Sequence, residues 1–236
     1  MTRLDGRVCL VTGAGGGIGA ATCSALAAKG ATVLGTDRAG AELDAALERG
    51  DEVARLAGDL DQPVDVLVNC AGAGLVGPVA ELDARAVERL VALNLTAPIL
   101  LTRALLPRML ERRSGHVVNV ASLVAHLPMR LEATYAATKA GLAGFTRSLR
   151  AELRGSGVGA SLVSPAVVQT AFFARRGAPY TRRFPRPVPP ERVAAAIVEA
   201  IEHDRAEVVV PRWLTVPVRL YGVAPGVYRA LSRRVD

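Results

Sequence analysis

The sequence predicts a single doubly wound α/β domain with a mainly parallel sheet. Its 236 residues, of which 50% are hydrophobic, suit one buried core. Short β-branched runs alternate with helical patterns, and neither an internal repeat nor a low-complexity linker interrupts them. Because alternating strands and helices are typical of βαβ units, the strands should be parallel.

The predicted elements follow this alternation along the whole chain. Strands are expected at residues 8–11, 32–35, 64–69, 116–120, 159–163 and 207–210. The helices between them should begin near Ile18, Ala41, Asp83, Ala97, Thr134 and Pro190. Proline suits the first turn of a helix, which supports the last of these starts.

The charge of the chain is local. The net charge is +7, and residues 175–236 hold 12 arginines against six acidic residues, whereas the first 174 residues carry only +1. A neutral body with a basic final quarter suggests a local anionic contact and does not indicate nucleic acid.

The cysteines and the apolar runs limit the class of protein further. Cys9, Cys23 and Cys70 lie in apolar or glycine-rich segments without the spacing of a metal site, so no metal is expected. No secretory pattern precedes Val8, and we therefore expect a cytoplasmic protein. A run of about 18 apolar residues free of charge and proline is also absent from the sequence, which argues against a transmembrane span.

A glycine-rich turn, TGAGGGIG, follows the first predicted strand at residues 12–19 and leads into an alanine-rich helix. Glycines let the backbone approach a pyrophosphate, and the N-terminus of the helix attracts its negative charge. Strand, loop and helix in this order predict a dinucleotide site.

Asp37 lies after the second predicted strand, about 20 residues beyond the glycines, where a carboxylate can accept hydrogen bonds from the adenosine ribose. Its charge would repel a 2′-phosphate, and the glycine-rich loop has no Lys or Arg to bind one, so NAD is favoured over NADP. Arg38 is the counter-argument. It could reach a 2′-phosphate, although it could equally pair with Asp37, stack or point to solvent.

Tyr135 and Lys139 are four residues apart on a predicted helix and therefore share one face. A nearby ammonium lowers the pKa of a phenol from about 10 towards the working pH, as a general acid or base requires. Lys139 and Lys29 are the two lysines of the chain, against 27 arginines. A planar guanidinium would not replace the compact ammonium in this role.

Together these motifs resemble the classical short-chain dehydrogenase/reductase family over nearly the whole chain. Residues 12–19 match its TGxxxGIG, residues 69–72 match its NNAG with Cys70 in place of the second Asn, and residues 135–139 match its YxxxK. Ser122 lies thirteen residues upstream of Tyr135, as in the family. Asn94 falls where the family has its helix Asn, and residues 165–170 are similar to its PGxVxT with Ala replacing Gly.

The resemblance implies a Rossmann-type NAD(P)-binding domain over residues 1–236 and a role for each matching residue. Tyr135 would exchange a proton with the substrate oxygen, Ser122 would hydrogen-bond that oxygen, and Lys139 would lower the pKa of Tyr135 and hold the nicotinamide ribose. Asn94 would position a water in a proton relay. The implied cofactor-binding residues are Gly13, Gly17, Ile18, Gly19, Asp37, Asp59, Asn69, Ala71, Gly72, Tyr135, Lys139, Val168 and Thr170.

The chain departs from the family near its third strand. The family usually places a whole crossover helix between its third and fourth strands, but residues 58–63 lead almost at once into the strand at 64–69. The third-strand crossover helix should therefore be shortened or missing. The third strand should be very short, or absent with residues 52–57 extending the preceding helix. Asp59, which matches the adenine-contacting Asp of the family, is a doubtful assignment for this reason.

Two segments near the end of the chain bear on the substrate. Residues 171–190 are predicted as a substrate loop, because aromatic residues lie among arginines there. An apolar wall with a cationic rim suits a lipophilic substrate with an anionic handle, such as an acyl thioester. A solvated lid is the alternative. The basic amphipathic tail at residues 212–236 is expected to cover the pocket or an oligomer interface rather than to bind a membrane.

The predicted function is hydride transfer between NAD(H) and a lipophilic secondary alcohol or ketone, such as a hydroxyacyl or steroid-like compound. The alternatives are an NADP-dependent ketone reductase such as a 3-oxoacyl reductase, a non-catalytic NAD-binding regulator, and a basic surface-binding protein. The resemblance also implies a homodimer or homotetramer. Small residues around the YxxxK helix would permit the close packing: Ala136, Ala137, Ala140, Gly141 and Gly144.

Overall fold

The computed structural model describes residues 3–37, 43–181 and 184–232. Within these ranges seven strands form one parallel sheet: β1 Val8–Thr12, β2 Thr32–Asp37, β3 Leu43–Asp44, β4 Val66–Asn69, β5 Gly115–Val120, β6 Val158–Pro165 and β7 Glu207–Val210. The helices are α1 Gly17–Ala27, α2 Gly50–Gly58, α3 Ala84–Val91, α4 Ala97–Glu111, α5 Ala133–Glu152, α6 Phe172–Arg175, α7 Pro190–Glu202, α8 Thr215–Val223 and α9 Pro225–Ser232.

The order of strands in the sheet is β3-β2-β1-β4-β5-β6-β7. The chain therefore winds outward from β1 in one direction and outward from β4 in the other. Loops that leave the carboxyl ends of β1 and β4 diverge, which opens a crevice at that edge of the sheet. The doubly wound parallel fold predicted from the sequence is confirmed.

Helices cover both faces of the sheet and make two apolar cores. Leu26 of α1 and Ile197 and Ile201 of α7 pack on one face, against valines of the central strands. Helices α2, α4 and α5 pack on the other, where Leu56 and Met109 are buried. Because both faces are covered, strands such as β4 are buried at every residue, as is typical of parallel sheets.

Most predicted elements lie within two residues of the observed ones. The helix predicted near Asp83 begins at Ala84, because the Asp83 carboxylate caps it by accepting a hydrogen bond from the Ala86 amide at 2.9 Å. The helix predicted at Pro190 begins there. Local chemistry, namely the Asp83 cap and the proline in the first turn, therefore determines where these two helices begin.

The third strand is very short, as predicted, but the prediction that the crossover helix after it is shortened or missing is wrong, because α2 lies between β3 and β4. β3 consists of Leu43–Asp44 alone and pairs with Thr36 and Asp37 of β2. Only residues 38–42 join the two strands, whereas the crossover from β3 to β4 does contain a helix, α2. The helix expected near Ala41 is wrong in its start, because residues 43–44 are strand and α2 begins at Gly50; residues 41–42 lie outside the described residues.

Residues 84–111 form one continuous helical run through α3, a single π-helical turn at Ala92–Thr96, and α4. By length and apolar composition alone this run could cross a membrane. Its middle, however, holds the fully buried Asn94, and Leu101 and Met109 pack in the core. These contacts are those of a helix that lies against a sheet.

The final segment packs largely on itself. Tyr221 of α8 and Tyr228 of α9 make an edge-to-face contact with 5.3 Å between ring centroids. Val216 and Val223 remain 70% and 87% exposed. The tail predicted at 212–236 is thus helical as far as Ser232, and residues 233–236 lie outside the described part.

Candidate active site

The glycine-rich loop joins β1 to α1 and lies against two other motifs. Gly13 has a φ of +73°, and a Cβ there would be 2.8 Å from the Ala71 Cα. A Cβ on Gly17 would be 2.5 Å from Thr170 Cγ2, and one on Gly19 would overlap the Gly13 carbonyl oxygen. Side chains at these positions would push the three segments apart, which is the physical reason that glycine is needed.

Asp37 ends β2 beside this loop. Its Oδ2 accepts a hydrogen bond from the Gly15 amide at 2.9 Å, so the carboxylate lies at the entrance of the glycine-rich turn. Sequence reasoning placed Asp37 at this end of the sheet. Arg38, the alternative reader of a 2′-phosphate, lies outside the described residues.

Polar side chains of the central strands hold the segment that follows β4. Thr12 Oγ1 accepts hydrogen bonds from the amides of Cys70 and Ala71, both at 3.0 Å. The Asn69 amide points into the sheet and donates to Asn119 Oδ1 at 2.8 Å. Asn69 therefore supports the loop from within the core. Thr12 and Asn119 also hold this loop through hydrogen bonds, although neither was predicted as a site residue.

Asn94 is fully buried in the π-helical turn, a feature that is frequent at functional sites. Its Oδ1 accepts from the Ala73 amide and its Nδ2 donates to the Ala73 carbonyl, both at 2.9 Å. Nδ2 also lies 3.2 Å from Thr138 Oγ1. The side chain thus ties the long helix to the β4 loop and to α5.

Lys139 reaches the same point from α5. Its ammonium donates to the Val120 carbonyl oxygen at 3.0 Å, and the residue is only 4% exposed. A Cβ on Gly72 would lie 3.2 Å from Asn94 Oδ1 and 3.4 Å from Lys139 Nζ. Three residues that are far apart in sequence therefore meet at the carboxyl edge of the sheet.

Tyr135 and Ser122 complete this group. Ser122 follows β5 and caps a short turn, and Tyr135 lies one helical turn before Lys139 on α5. Burial raises the pKa of Tyr135 to about 12, while its hydrogen bond with Ser122 acts in the opposite direction. Burial also lowers the pKa of Lys139 to about 8. The expected lowering of the Tyr135 pKa by Lys139 is not found, because burial of the phenol outweighs the charges around it.

The short helix α6 contributes to the burial of Tyr135. The Phe172 ring lies 5.7 Å from the Tyr135 ring, and Phe173 and Tyr180 continue a chain of ring contacts at 5.6 and 5.5 Å. A Cβ on Gly74 would be 2.8 Å from the edge of the Phe172 ring, so the backbone at Gly74 also lies close to this ring. The predicted substrate loop therefore places an aromatic wall directly over the phenol.

Arg176 does not form part of a cationic rim, as the sequence suggested for this loop. Its guanidinium pairs with Glu132 at 3.0 Å, and both side chains are largely buried. It also stacks over Phe173, 4.5 Å from the ring centroid. The charge is thus neutralised inside the wall. Arg182 and Arg183 lie outside the described residues.

Arg175, the preceding residue, points the other way. Its Nη2 lies 4.0 Å from the position of a Cβ on Gly16, at the N-terminus of α1. It pairs with no carboxylate among the described residues. Sequence reasoning assigned this arginine only to a general basic segment, because nothing in the sequence fixes the rotation of a four-residue helix.

The remaining predicted cofactor residues lie around the loop. Thr170 contacts Gly17, as noted, and its Oγ1 accepts from the Phe172 amide at 3.3 Å. Val168 is buried, and its backbone forms a parallel bridge with Val188. Ile18 packs partly buried against the core under α1.

Asp59 is not part of this group. It lies at the C-terminal end of α2, 55% exposed, and pairs with Arg55 at 3.0 Å. Because α2 runs back from the carboxyl edge of β3 to the amino edge of β4, Asp59 lies at the edge of the sheet opposite the glycine-rich loop. Its assignment as an adenine contact is wrong for this reason.

The arrangement fits a nicotinamide dinucleotide. The glycine-rich turn leaves backbone amides at the N-terminus of α1, where a pyrophosphate is favoured, and Arg175 adds a cation beside it. The Asp37 carboxylate lies beside this turn, where an acidic side chain can accept hydrogen bonds from a ribose. Across the described ranges, no group of three or more His, Cys, Asp or Glu side chains is placed to hold a metal ion.

Comparison with known proteins gives a consistent picture. The model of the family described as short chain dehydrogenase matches residues 7–62 and 48–180. A ketoacyl reductase of Nostoc sp. is 35% identical over 233 residues, covering 89% of this chain and 80% of that protein. A D-threitol dehydrogenase of Mycolicibacterium smegmatis is 36% identical over 223 residues, covering 83% of this chain and 86% of that protein.

Solved structures show the same similarity. A short chain dehydrogenase/reductase from Burkholderia phymatum in complex with NAD has a TM-score of 0.83 at 26% identity, covering 94% of this chain and 95% of that one. A short-chain dehydrogenase from Sphingobium yanoikuyae in complex with NADPH has a TM-score of 0.76 at 26% identity, covering 93% and 95%.

Proposed function

Since the chain belongs to the short chain dehydrogenase family, we propose that it transfers a hydride between NAD(H) and a lipophilic secondary alcohol or ketone. The observation that carries this proposal is the meeting of Asn94, Ser122, Tyr135 and Lys139 at the carboxyl edge of the sheet, beside the glycine-rich loop. A bound nicotinamide supplies or accepts the hydride. The residues of the chain bind the substrate oxygen and move its proton.

Tyr135 is the proton donor in the direction of ketone reduction. A phenol with a pKa of about 12 is protonated at neutral pH and can give its proton to the developing alkoxide. Ser122, hydrogen-bonded to Tyr135, stabilises the same oxygen. Lys139 carries a charge below pH 8 and attracts the phenolate that remains, while Asn94 fixes the loop around it.

A lipophilic substrate is supported by the aromatic wall. The Phe172 ring lies against Tyr135 and Phe173 lies against Phe172, while the guanidinium of Arg176 in this wall is already paired with Glu132. An anionic handle, if the substrate carries one, would be bound farther from the reacting carbon. A neutral ketone or its alcohol is therefore the substrate that we favour.

The test is a panel of hydroxysteroids, hydroxyacyl thioesters and simple secondary alcohols with the matching ketones. Turnover is followed through the absorbance of NADH with one cofactor and of NADPH with the other. Turnover of an apolar ketone or alcohol would support the proposal. Cofactor binding without turnover across the panel would contradict it and favour a non-catalytic nucleotide-binding protein.

NAD is proposed as the preferred cofactor because Asp37 lies at the entrance of the glycine-rich turn, where its carboxylate can accept hydrogen bonds from a ribose and repel a 2′-phosphate. Asp37→Ala should weaken NAD binding far more than NADP binding. The variant loses the hydrogen bond from the Gly15 amide, but the Gly13 and Ala14 amides still donate to the Thr36 carbonyl oxygen and hold the loop. An unchanged preference would show that Asp37 does not read the ribose.

An NADP-dependent ketone reductase, such as a 3-oxoacyl reductase, is the second candidate. It is favoured by the similarity to a ketoacyl reductase and to a structure that contains NADPH. The same panel separates the two candidates. Faster reduction of an acyl thioester with NADPH than with NADH would favour the second.

We also propose a cytoplasmic homodimer or homotetramer that uses the small-residue face of α5. Ala137, Ala140 and Gly144 are exposed there, and a Cβ on Gly144 would meet no atom within 4 Å. Gly144→Leu would fill this surface without disturbing the interior. Sedimentation should show a smaller assembly for this variant, and an unchanged assembly would exclude this face.

A further inference from the structure

A cleft lies at the outer part of the carboxyl edge, where the end of the predicted substrate loop meets the segment after β7. Its volume is about 360 Å³, and its walls include Phe184, Arg186, Pro187, Arg192, Pro211 and Trp213. This size falls within the range of small-molecule sites, roughly 300 to 1,000 Å³. The segment before α7 and the segment after β7 form the two walls.

The floor of the cleft is fixed to the sheet. The Val188 amide donates to the Val167 carbonyl oxygen, and the Gln169 amide donates to the Val188 carbonyl oxygen, both at 2.9 Å. On the other wall, Val210 at the end of β7 pairs with Pro165 of β6. The cleft is therefore built on backbone pairing of the core sheet.

Its rim is aromatic and partly open to solvent. The Phe184 and Trp213 rings are in contact and tilted, with 5.1 Å between centroids and 32° between planes. They nevertheless remain 58% and 46% exposed. These two large apolar rings come from separate segments and are about half exposed to solvent. They therefore offer an apolar surface to a ligand.

The cleft also carries positive charge without a counterion. Arg186 and Arg192 line it and are exposed, and within the described chain no hydrogen bond or ion pair occupies either guanidinium. The acidic Glu199 nearby is paired with Arg212, and Glu191, in the first turn of α7, does not line the cleft. An anion is the complementary ligand group, because guanidinium binds carboxylate, sulfonate or phosphate through paired hydrogen bonds.

We propose that this cleft is a binding site for a small amphiphilic anion. The apolar part of the ligand lies against Phe184 and Trp213, and its acidic group is bound by Arg186 and Arg192. Phe184 and Arg186 lie in the predicted substrate loop, but none of these residues belongs to the predicted catalytic or cofactor set, so the proposal does not rest on the oxidoreductase function.

Trp213 makes the site directly measurable, because it is the only tryptophan of the chain. The full chain would be titrated with 8-anilinonaphthalene-1-sulfonate, an aromatic sulfonate, while energy transfer from Trp213 is recorded. Saturable transfer is expected. Octanoate should displace the probe, and octylammonium, which has the same apolar chain and the opposite charge, should not.

The arginines are tested with Arg186→Gln/Arg192→Gln, which should weaken probe binding at least tenfold. Arg103→Gln removes an exposed arginine from α4, on the opposite face of the sheet, and should leave binding unchanged. Phe184→Ala should weaken the probe and octanoate together. Absence of saturable transfer, equal displacement by octanoate and octylammonium, or unchanged binding in the double variant would each overturn the proposal.

Discussion

A titratable side chain is buried at each end of β5, and the two side chains differ in their hydrogen-bond partners and nearby charges. At the amino end His116 is 1% exposed, its Nε2 lies 2.8 Å from Ser161 Oγ, and Asp204 lies 4.0 Å from its Nδ1. At the carboxyl end Lys139 is 4% exposed, donates to the Val120 carbonyl oxygen, and pairs with no carboxylate of the described residues.

The difference in protonation follows from burial. Burial lowers the pKa of His116 to about 4, so its imidazole is neutral at pH 7. Burial lowers the pKa of Lys139 only to about 8, so its ammonium is still charged. A buried charge without a counterion costs stability, whereas a neutral hydrogen-bonded ring does not. The amino end of the sheet is therefore built for stability, and the carboxyl end holds a group that only function explains.

Removing the Tyr135 hydroxyl should have the largest effect. Tyr135→Phe keeps the ring against Phe172 and should lower turnover by about 10³-fold, since the proton donor is lost. Cofactor affinity and melting temperature should stay close to those of the parent chain. NADH absorbance gives the first quantity, and cofactor fluorescence and calorimetry give the others. Retained turnover would remove Tyr135 from the proposed chemistry.

Lys139→Met should separate function from stability. Turnover should fall by about 10²-fold, yet the free energy of unfolding at pH 7 should not decrease, because an unpaired buried charge is replaced by an apolar chain. The folded pKa of about 8 lies below the usual 10.5, so the unfolded chain binds more protons between these values. Stability of the parent chain should thus rise with pH across this window.

Urea unfolding between pH 7 and pH 10 measures this rise, which Lys139→Met should lack. The matched control is Lys29→Met, because Lys29 is exposed and paired with Glu202 at 2.8 Å. That variant should keep both turnover and the rise in stability. A loss of stability at pH 7 in Lys139→Met would show that the ammonium is a structural group.

The carboxyl end was predictable because its residues follow strong local rules. The helical spacing of Tyr135 and Lys139 places them on one face, and Gly13, Gly17 and Gly19 meet backbone or side chains that exclude a Cβ. Parallel strands then bring the loops together at one edge. These motifs therefore predicted both the fold and most of the site.

Other features depend on contacts that no local pattern reveals. β3 has only two residues, which is too few to show the alternation that is typical of a strand. The adenine contact was therefore predicted at Asp59, which follows α2 and not β3. The opposite directions of Arg175 and Arg176 depend on how α6 packs, because Arg176 lies over Phe173 whereas Arg175 lies beside Gly16. The raised pKa of Tyr135 likewise depends on burial of the phenol, to which Phe172 of this helix contributes.

Arg175→Ala should have a moderate effect that is confined to the carboxyl edge. Without the guanidinium beside Gly16, affinity for ADP-ribose should fall about tenfold, or about 1.4 kcal/mol. Binding of adenosine, which has no pyrophosphate, should be unchanged. Arg85→Ala, an exposed arginine of α3, is the control. Equal losses for both ligands would indicate a general distortion of the loop instead of a contact with the pyrophosphate.

His116→Gln should have the smallest effect on turnover and tests the stability of the amino end. The folded pKa of His116, about 4, lies below the usual 6.5, so the unfolded chain takes up more protons as the pH falls through this window. The parent chain should lose on the order of 1 to 2 kcal/mol of stability from this group between pH 7 and pH 5. Urea unfolding at the two pH values should show a smaller loss in His116→Gln, while His203→Gln, which changes an exposed histidine, should behave as the parent. Equal acid sensitivity in all three chains would mean that other groups control it and that the imidazole at the amino end of β5 is already solvated.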